Sequence, residues 1–172
     1  YVNQYAVKPG NRAVIFANND DGYKTAINLF KKGIDIQAVV DSRINVNNFW
    51  KNKLEEANIE LISGSAVVNT HGFFALNGVD VAPINLDGKN INGQSRFISA
   101  DLLAISGGWS PNVHLYCHAG GKPQYEPSIA AFVPGQNAQS SYSIGASNGA
   151  FSLADCFDQG SNYGNEIALE FG

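Results

Sequence analysis

The feature that most constrains the fold is a strand–helix–strand pattern near the start of the sequence. Residues 12–16 (RAVIF) form a short apolar run that predicts a buried parallel strand. The turn-forming cluster NNDD at 18–21 follows, and a helical stripe occupies residues 26–30. Two lysines and Gly33 then provide the expected helix end, and residues 34–40 are the second strand. Two parallel strands joined by a helix predict an α/β fold.

The pattern continues and then changes character. Residues 48–58 predict a second helix, and residues 59–62 predict a third short strand. Short strands at hairpin spacing, with Asn77-Gly78 and Asp87-Gly88 as turn signals, are predicted at residues 66–69, 73–76, 79–84 and 96–98. A buried strand returns at residues 101–105.

The chain is therefore predicted to be an α/β protein of the two-lobe flavoprotein reductase kind. Residues 1–10 are predicted to be an extended opening segment, and residues 11–108 a Rossmann-like lobe (βαβαβ plus an antiparallel meander). Residues 109–172 are too few to form a second full lobe. That segment is predicted to contain a strand at 142–144, a tight turn at 145–149 and a helix at about 150–158. Because the chain begins with Tyr1 and contains no Met, we interpret it as part of a longer protein.

Composition excludes several classes of function. The chain of 172 residues is 44% hydrophobic and 15% charged, which is ordinary for a globular protein and unlike a disordered one. Its net charge of −4 and the lack of a basic patch argue against a nucleic-acid partner. The apolar runs are far shorter than the ~20 residues of a membrane helix, so no membrane association is predicted. With no signal peptide and no disulfide framework, a cytoplasmic location is expected.

A weaker nucleotide site is predicted at residues 17–22. This loop stands where the dinucleotide fingerprint G-x-G-x-x-G would be, but only Gly22 matches and Asn19 replaces the second glycine. The carboxylates of Asp20 and Asp21 would repel a diphosphate, whereas Asp41 is well placed for a ribose. The alternative is a degenerate loop in which an Asn or Asp side chain caps the helix.

The glycine turn at residues 145–149 (GASNG) matches the nucleophile elbow G-x-S-x-G, with Ser147 as nucleophile. In that fold the histidine follows the serine, whereas His71, His114 and His118 all precede it, which disfavours a hydrolase. We prefer a turn that presents backbone N–H groups and a helix N-terminus to a ligand phosphate.

A metal site is not predicted. His114, Cys117 and His118 have the spacing of zinc ligands, but a fourth ligand is absent unless Cys156 joins them. The sequence also offers no plausible acid–base pair and no complete cofactor site. We therefore predict no catalytic residue, and we expect the isolated chain to turn over no substrate.

Several motifs resemble one family in the same order along the chain. They are residues 1–10 (YVNQYAVKPG), 18–23 (NNDDGY), 106–115 (SGGWSPNVHL), 120–122 (GGK) with the nearby Tyr125, and 144–149 (IGASNG). Together they span essentially the whole chain. They resemble the middle region of the alpha subunit of heterotetrameric sarcosine oxidase.

The resemblance implies a function for a complex. Enzymes of this family oxidise sarcosine to glycine, pass electrons through flavins to oxygen to give hydrogen peroxide, and deliver the one-carbon unit to tetrahydrofolate. The alpha subunit holds a non-catalytic NAD in a region similar to the pyridine nucleotide-disulfide oxidoreductases. FAD, FMN, tetrahydrofolate and zinc lie elsewhere in the complex, and the partners are the beta, gamma and delta subunits.

The resemblance also implies that residues 1–10 cross over from a preceding lobe and that residues 109–172 are the C-terminal return segment of a second, FAD/NAD-type lobe. It locates the NAD contact in this return segment. The residues predicted to form it are Gly145, Ala146, Ser147, Asn148, Gly149, Leu153 and Asp155. Asn148 stands where related flavoproteins have the Asp of a Gly-Asp pair, which is consistent with a different ligand. The alternative is a structural or assembly module of another two-lobe FAD/NAD-dependent amine oxidoreductase, with no ligand of its own.

Overall fold

The structure is a computed structural model that describes residues 1–136, 139 and 141–171. The chain divides into two compact units, Tyr1–Gly108 and Trp109–Gly172, which we call unit 1 and unit 2. Residues 137, 138, 140 and 172 of the predicted return segment lie outside the described residues. Across the described ranges, no helix has the combination of length and apolarity that a membrane crossing requires.

Unit 1 is built on a parallel sheet of four strands in the order β3-β2-β1-β7. Its elements in chain order are α1 (Val2–Tyr5), β1 (Arg12–Ala17), α2 (Asp21–Lys31), β2 (Asp35–Asp41), α3 (Asn48–Glu56), β3 (Leu61–Ser63), β4 (Ser65–His71), β5 (Gly78–Pro83), β6 (Arg96–Ser99) and β7 (Leu102–Ser106). The strands β4, β5 and β6 form a separate antiparallel meander. The predicted α/β class, with a βαβαβ unit and a meander, is confirmed.

Two apolar cores cover the two faces of the parallel sheet. Strand β1 shows the division, because Ala13 and Ile15 face one core and Val14 faces the other. The first core joins the sheet to helices α2 and α3 and contains Tyr23, Ala26, Leu29, Ile34, Ile36, Val39, Val46, Leu54 and Ile59. The second joins the sheet to the meander and contains Ala38, Val40, Val79, Val81, Ile98 and Ala100. Unit 1 is therefore a three-layer structure of helices, parallel sheet and antiparallel sheet.

A carboxylate fastens the start of β1 to the segment that leads into β7. Asp101 Oδ1 accepts hydrogen bonds from the backbone N–H groups of Asn11 and Arg12, each at 2.8 Å. The bond from Arg12 contributes most to holding the pKa of Asp101 below its ordinary value, since it stabilises the charged form. Strands far apart in the sequence are thus joined at the amino edge of the sheet.

Two predictions in unit 1 are wrong in their local structure. Residues 73–76 are a loop rather than a strand, because the chain reverses between His71 and Asn77, whose N–H donates to the His71 carbonyl at 2.7 Å. Gly72 has φ +132°, a conformation that favours glycine, and it lets the reversal begin directly after β4. The opening segment is not fully extended either, since Val2–Tyr5 form one helical turn that ends at Ala6.

Unit 2 has less regular structure. Its elements are α4 (His114–His118), the antiparallel pair β8 (Gln124–Glu126) and β9 (Ala131–Val133), a 3₁₀ turn at Gly145–Asn148, and α5 (Leu153–Phe171). The predicted strand at 142–144 is wrong, because no described strand pairs with this segment. The predicted helix at about 150–158 is correct in type, but it begins at Leu153 and continues much further.

Candidate functional site

The polar residues of unit 1 collect at the carboxyl edge of its parallel sheet. Strands β1, β2 and β7 end at Ala17, Asp41 and Ser106, and parallel strands place their carboxyl ends at one edge. The loop between β1 and α2 crosses this edge. In open α/β sheets the ligand crevice lies here, so this edge is the first candidate site.

Asn19 holds the loop in place through four hydrogen bonds. Its Oδ1 accepts from the Asp21 N–H (3.0 Å) and from the Ser106 hydroxyl (2.9 Å). Its Nδ2 donates to the Ser106 carbonyl (3.0 Å) and to Asn18 Oδ1 (2.8 Å). The side chain of Asn19 therefore ties the first residue of α2 to the end of β7.

Gly22 serves the packing of helix α2 against strand β1. A Cβ atom at this position would lie 2.4 Å from the Cβ of Ala17, so no larger residue fits without a shift. The third glycine of a dinucleotide fingerprint has the same packing role. The match of Gly22 to the fingerprint thus has a structural reason that requires no ligand.

Asp41 lies at the centre of a buried ionic network. Its side chain is fully buried, and it accepts hydrogen bonds from the Tyr23 hydroxyl, from the Arg43 N–H (2.7 Å) and from the Arg43 guanidinium. The same guanidinium donates to Asp20 Oδ1 at 2.9 Å. The network connects β2, α2 and the loop that precedes α2.

The network shifts the pKa values of its members. Burial raises the pKa of the Tyr23 phenol well above its ordinary value, and the neighbouring Asp41 carboxylate raises it further. Hydrogen bonds to Asp41, and then to Asp20, raise the pKa of Arg43. Tyr23 therefore stays neutral and Arg43 stays charged across the physiological range.

Sequence reasoning placed Asn19, Gly22 and Asp41 at this edge but missed two of their partners. Arg43 follows Asp41 by two residues, which is a usable signal for an ion pair at a strand end. Tyr23 gave no such signal, because an aromatic residue in an amphipathic helix usually indicates only a core position. Its ring also stacks on Trp50 of α3, with centroids 5.9 Å apart.

The second candidate is the glycine turn of unit 2. Gly145 and Gly149 have φ +65° and +82°, and the residues between them form one 3₁₀ turn. The Gly145 N–H donates to Gln159 Oε1 at 2.8 Å, so helix α5 holds one end of the turn. At the other end, a Cβ on Gly149 would lie 2.9 Å from Ile129 Cδ1, which shows a tight fit.

Helix α5 begins at Leu153, three residues beyond this turn, with a side-chain cap. The Ser152 hydroxyl accepts from the Asp155 N–H (3.1 Å) and donates to Asp155 Oδ2 (2.5 Å). Asp155 and Leu153 are exposed, as is Ala146 within the turn. The seven residues predicted to contact NAD are thus close together along one turn and one helix start, and their role stays a prediction.

The geometry gives no support to the two disfavoured alternatives, a serine hydrolase and a zinc site. The Ser147 hydroxyl donates to the Ile144 carbonyl at 2.8 Å, whereas an elbow nucleophile donates to a histidine. His114, Cys117 and His118 lie on the short helix α4, where Cys117 is exposed. Within residues 1–136, 139 and 141–171, no group of three or more His, Cys, Asp or Glu side chains is arranged to hold a metal ion.

Comparison with known proteins finds relatives named sarcosine oxidase subunit alpha. It is 32% identical over 172 residues to sarcosine oxidase subunit alpha of Rhizobium meliloti (strain 1021), covering 100% of this chain and 16% of that protein. It is 33% identical over 174 residues to the same subunit of Corynebacterium sp. (strain P-1), covering 100% of this chain and 18% of that protein. The chain thus spans less than a fifth of the length of these relatives. No model of a protein family matches it.

Solved structures with similar folds include a flavoprotein disulfide reductase and a thioredoxin reductase. A flavoprotein disulfide reductase of Escherichia coli superimposes with a TM-score of 0.66 at 13% identity, over 93% of this chain and 36% of that chain. Thioredoxin reductase of T. acidophilum superimposes with a TM-score of 0.61 at 17% identity, over 95% of this chain and 55% of that chain. The predicted resemblance is confirmed: over its whole length this α/β chain is similar to a segment of sarcosine oxidase subunit alpha, within a fold shared with the pyridine nucleotide-disulfide oxidoreductases.

Proposed function

We propose that this chain is a region of an alpha subunit that supports the oxidative demethylation of sarcosine by a multi-subunit enzyme. The whole complex would produce glycine, hydrogen peroxide and a folate-bound one-carbon unit. The observation that carries the proposal is the match of the entire chain, at 32% and 33% identity, to two proteins named sarcosine oxidase subunit alpha. The partners proposed are the beta, gamma and delta subunits, in the cytoplasm.

The contribution of this region is proposed to be structural binding of NAD rather than chemistry. FAD, FMN, tetrahydrofolate and zinc would be held elsewhere in the complex, and this chain would supply no catalytic residue. The proposed NAD contact is the turn from Gly145 to Gly149 together with Leu153 and Asp155. Its support is the pair of positive-φ glycines that bounds the turn, with Gly149 four positions before the first residue of α5, because glycine lets backbone approach a phosphate closely.

The proposal is tested on the full-length subunit that contains this chain. Asn148→Trp places a bulky side chain in the turn, and the matched control Asn165→Trp places it on an exposed position of α5. We expect the Asn148 variant to lose bound NAD, measured in an acid extract, and the control to retain it. Full NAD in a folded, assembled Asn148 variant would contradict the proposed contact.

The same variants address the alternative that the region is an assembly module without a ligand. The observation that favours this alternative is the network of unit 1, whose polar groups are satisfied by the protein itself. If the unaltered subunit carries no NAD, the alternative is supported. If the Asn148 variant loses NAD while the subunits still assemble and oxidise sarcosine, the region binds NAD but NAD has no structural role. If assembly fails together with NAD binding, NAD contributes to the structure of the complex.

A further inference from the structure

The fold of unit 1 implies a ligand at the carboxyl edge of its sheet. A dinucleotide in such a crevice places its pyrophosphate at the N-terminus of the first helix and a ribose at the end of the second strand. In unit 1 these positions are the start of α2 and Asp41. Whether the residues present fit a dinucleotide can be tested on their hydrogen bonds.

The pyrophosphate position is taken by a side chain of the protein. The N–H of Asp21, the first residue of α2, donates to Asn19 Oδ1 at 3.0 Å. Because the Ser106 hydroxyl and carbonyl also bind Asn19, moving this side chain aside would break bonds to both β7 and α2. At the Asp21 N–H, a phosphate oxygen would therefore have to replace an existing partner.

The ribose position is closed as well. An acid that binds a ribose needs an accessible carboxylate, whereas the Asp41 side chain is fully buried. Both of its oxygens accept hydrogen bonds, from Arg43 and from Tyr23. Among the described residues, no buried side-chain polar atom is left without a hydrogen-bond partner, so no buried side chain of this crevice requires a ligand.

Charge at this edge also opposes a diphosphate. The cations beside the loop are already paired, Arg43 with Asp20 and Asp41, and Lys24 with Asp21 at 2.7 Å. An incoming diphosphate would compete with these carboxylates for the same cations and would meet the charges of Asp20 and Asp21. The local field therefore disfavours the ligand that the fold implies.

We propose that the crevice of unit 1 does not bind a dinucleotide, because Asn19 and the Tyr23–Asp41–Arg43 network occupy the places of the pyrophosphate and the ribose. The side chains that would have contacted a nucleotide now join β1, β2, β7 and α2. Unit 1 keeps the fold of a nucleotide-binding lobe and has replaced the ligand with internal bonds. This inference stands on unit 1 alone and is independent of the NAD contact proposed in unit 2.

The test is photolabelling of the full-length subunit with NAD that carries an azide on its adenine ring. We expect peptides covering residues 17–24 and 41–46 to show only the background labelling that persists with excess unmodified NAD. Labelling of either peptide that unmodified NAD removes would overturn the inference. Labelling of residues 145–158 is a separate readout, since its absence would count against the proposed NAD contact and leave this inference intact.

A second measurement uses the variant Arg43→Met and its matched control Arg96→Met, which breaks an exposed pair with Glu60. We expect the Arg43 variant to lower the melting temperature of the subunit by several degrees, by the same amount with and without added NAD. The control should lower it little. A loss at Arg43 that appears only when NAD is present would show that this network binds nucleotide, and would overturn the inference.

Discussion

The two units of the chain differ in how fully each buries its apolar side chains and pairs its polar groups internally. In unit 1 both faces of the parallel sheet are covered by apolar cores, and the polar groups at both sheet edges bond within the unit. In unit 2 the strands are three residues long, and large apolar side chains of the helices are exposed, among them Leu115, Leu153, Phe157 and Leu169. We infer from this difference that the free energy of unfolding comes mainly from unit 1. Unit 2 exposes large apolar side chains on its helices.

The largest expected effect comes from a matched pair of leucines. Leu54 of α3 is 1% exposed and Leu153 of α5 is 72% exposed. Leu54→Ala should cost about 4 kcal/mol of unfolding free energy, because it leaves a cavity in the first core. Leu153→Ala should change the stability by less than about 0.5 kcal/mol. Urea unfolding of both variants measures this, and equal losses would contradict the comparison.

A smaller effect is expected from the buried ion pair of unit 1. Arg43→Met leaves the Asp41 carboxylate buried without its main cation, so we expect a loss of about 3 kcal/mol, the low end for a broken buried pair. The loss is at the low end because the Arg43 side chain itself is 35% exposed. Arg96→Met, which breaks an exposed pair, should cost less than about 1 kcal/mol. Similar urea midpoints for the two variants would be evidence against a buried network.

Two helical glycines provide the next comparison. Gly22→Ala forces a Cβ against Ala17 and should cost about 2 kcal/mol. Gly160→Ala on α5 meets nothing within 4 Å and should stabilise the chain by about 0.5–1 kcal/mol, because alanine favours helix. Thermal unfolding of both variants measures whether each change lowers or raises the stability. A neutral Gly22→Ala would show that α2 can move away from β1 at little cost.

The smallest effect concerns acid stability. The pKa values of Asp101 in unit 1 and Glu126 in unit 2 both lie below their ordinary values of 3.8 and 4.5, through bonds from Arg12 and from Ser128 respectively. At a pH above its ordinary pKa, each carboxylate therefore stabilises the folded chain. This contribution is lost as the pH falls through the lowered pKa of the folded state.

Asp101 joins two distant strands, whereas Glu126 bonds only to a residue two positions along its own hairpin. We expect Asp101→Asn to lower the urea midpoint at pH 6 and to reduce its fall toward pH 3. Glu126→Gln should leave the curve almost unchanged. An equal response of the two variants would remove this distinction between the units.

Much of unit 1 could be predicted from its sequence, because its strands are continuous apolar runs and its helices have clear ends. The segment 12–16 is a short apolar run of residues that favour strands, and the strand it predicts was found as β1 at Arg12–Ala17. The segment at 73–76 has similar composition, yet Phe73 and Phe74 are 92% and 98% exposed. Composition alone does not distinguish an apolar loop from a strand, because a strand also requires a partner.

The candidate site could be predicted only in part. Asp41 and Gly22 stand where the fold places them, so position in the βαβ unit located both. The partners that close the crevice, Tyr23 and Arg43, depend on which way side chains point across the sheet edge. The spacing of residues along the sequence does not specify these side-chain directions. The start of α5 was similarly misplaced by three residues, since the Ser152 cap fixes it.

The most direct test of the account is an experimental structure of the full-length subunit with NAD bound. We predict density for the dinucleotide against residues 145–155, with the Arg43–Asp41 pair intact and Asn19 still bound to Ser106. Density for NAD across residues 18–20 and Asp41, with the pair separated, would contradict the account.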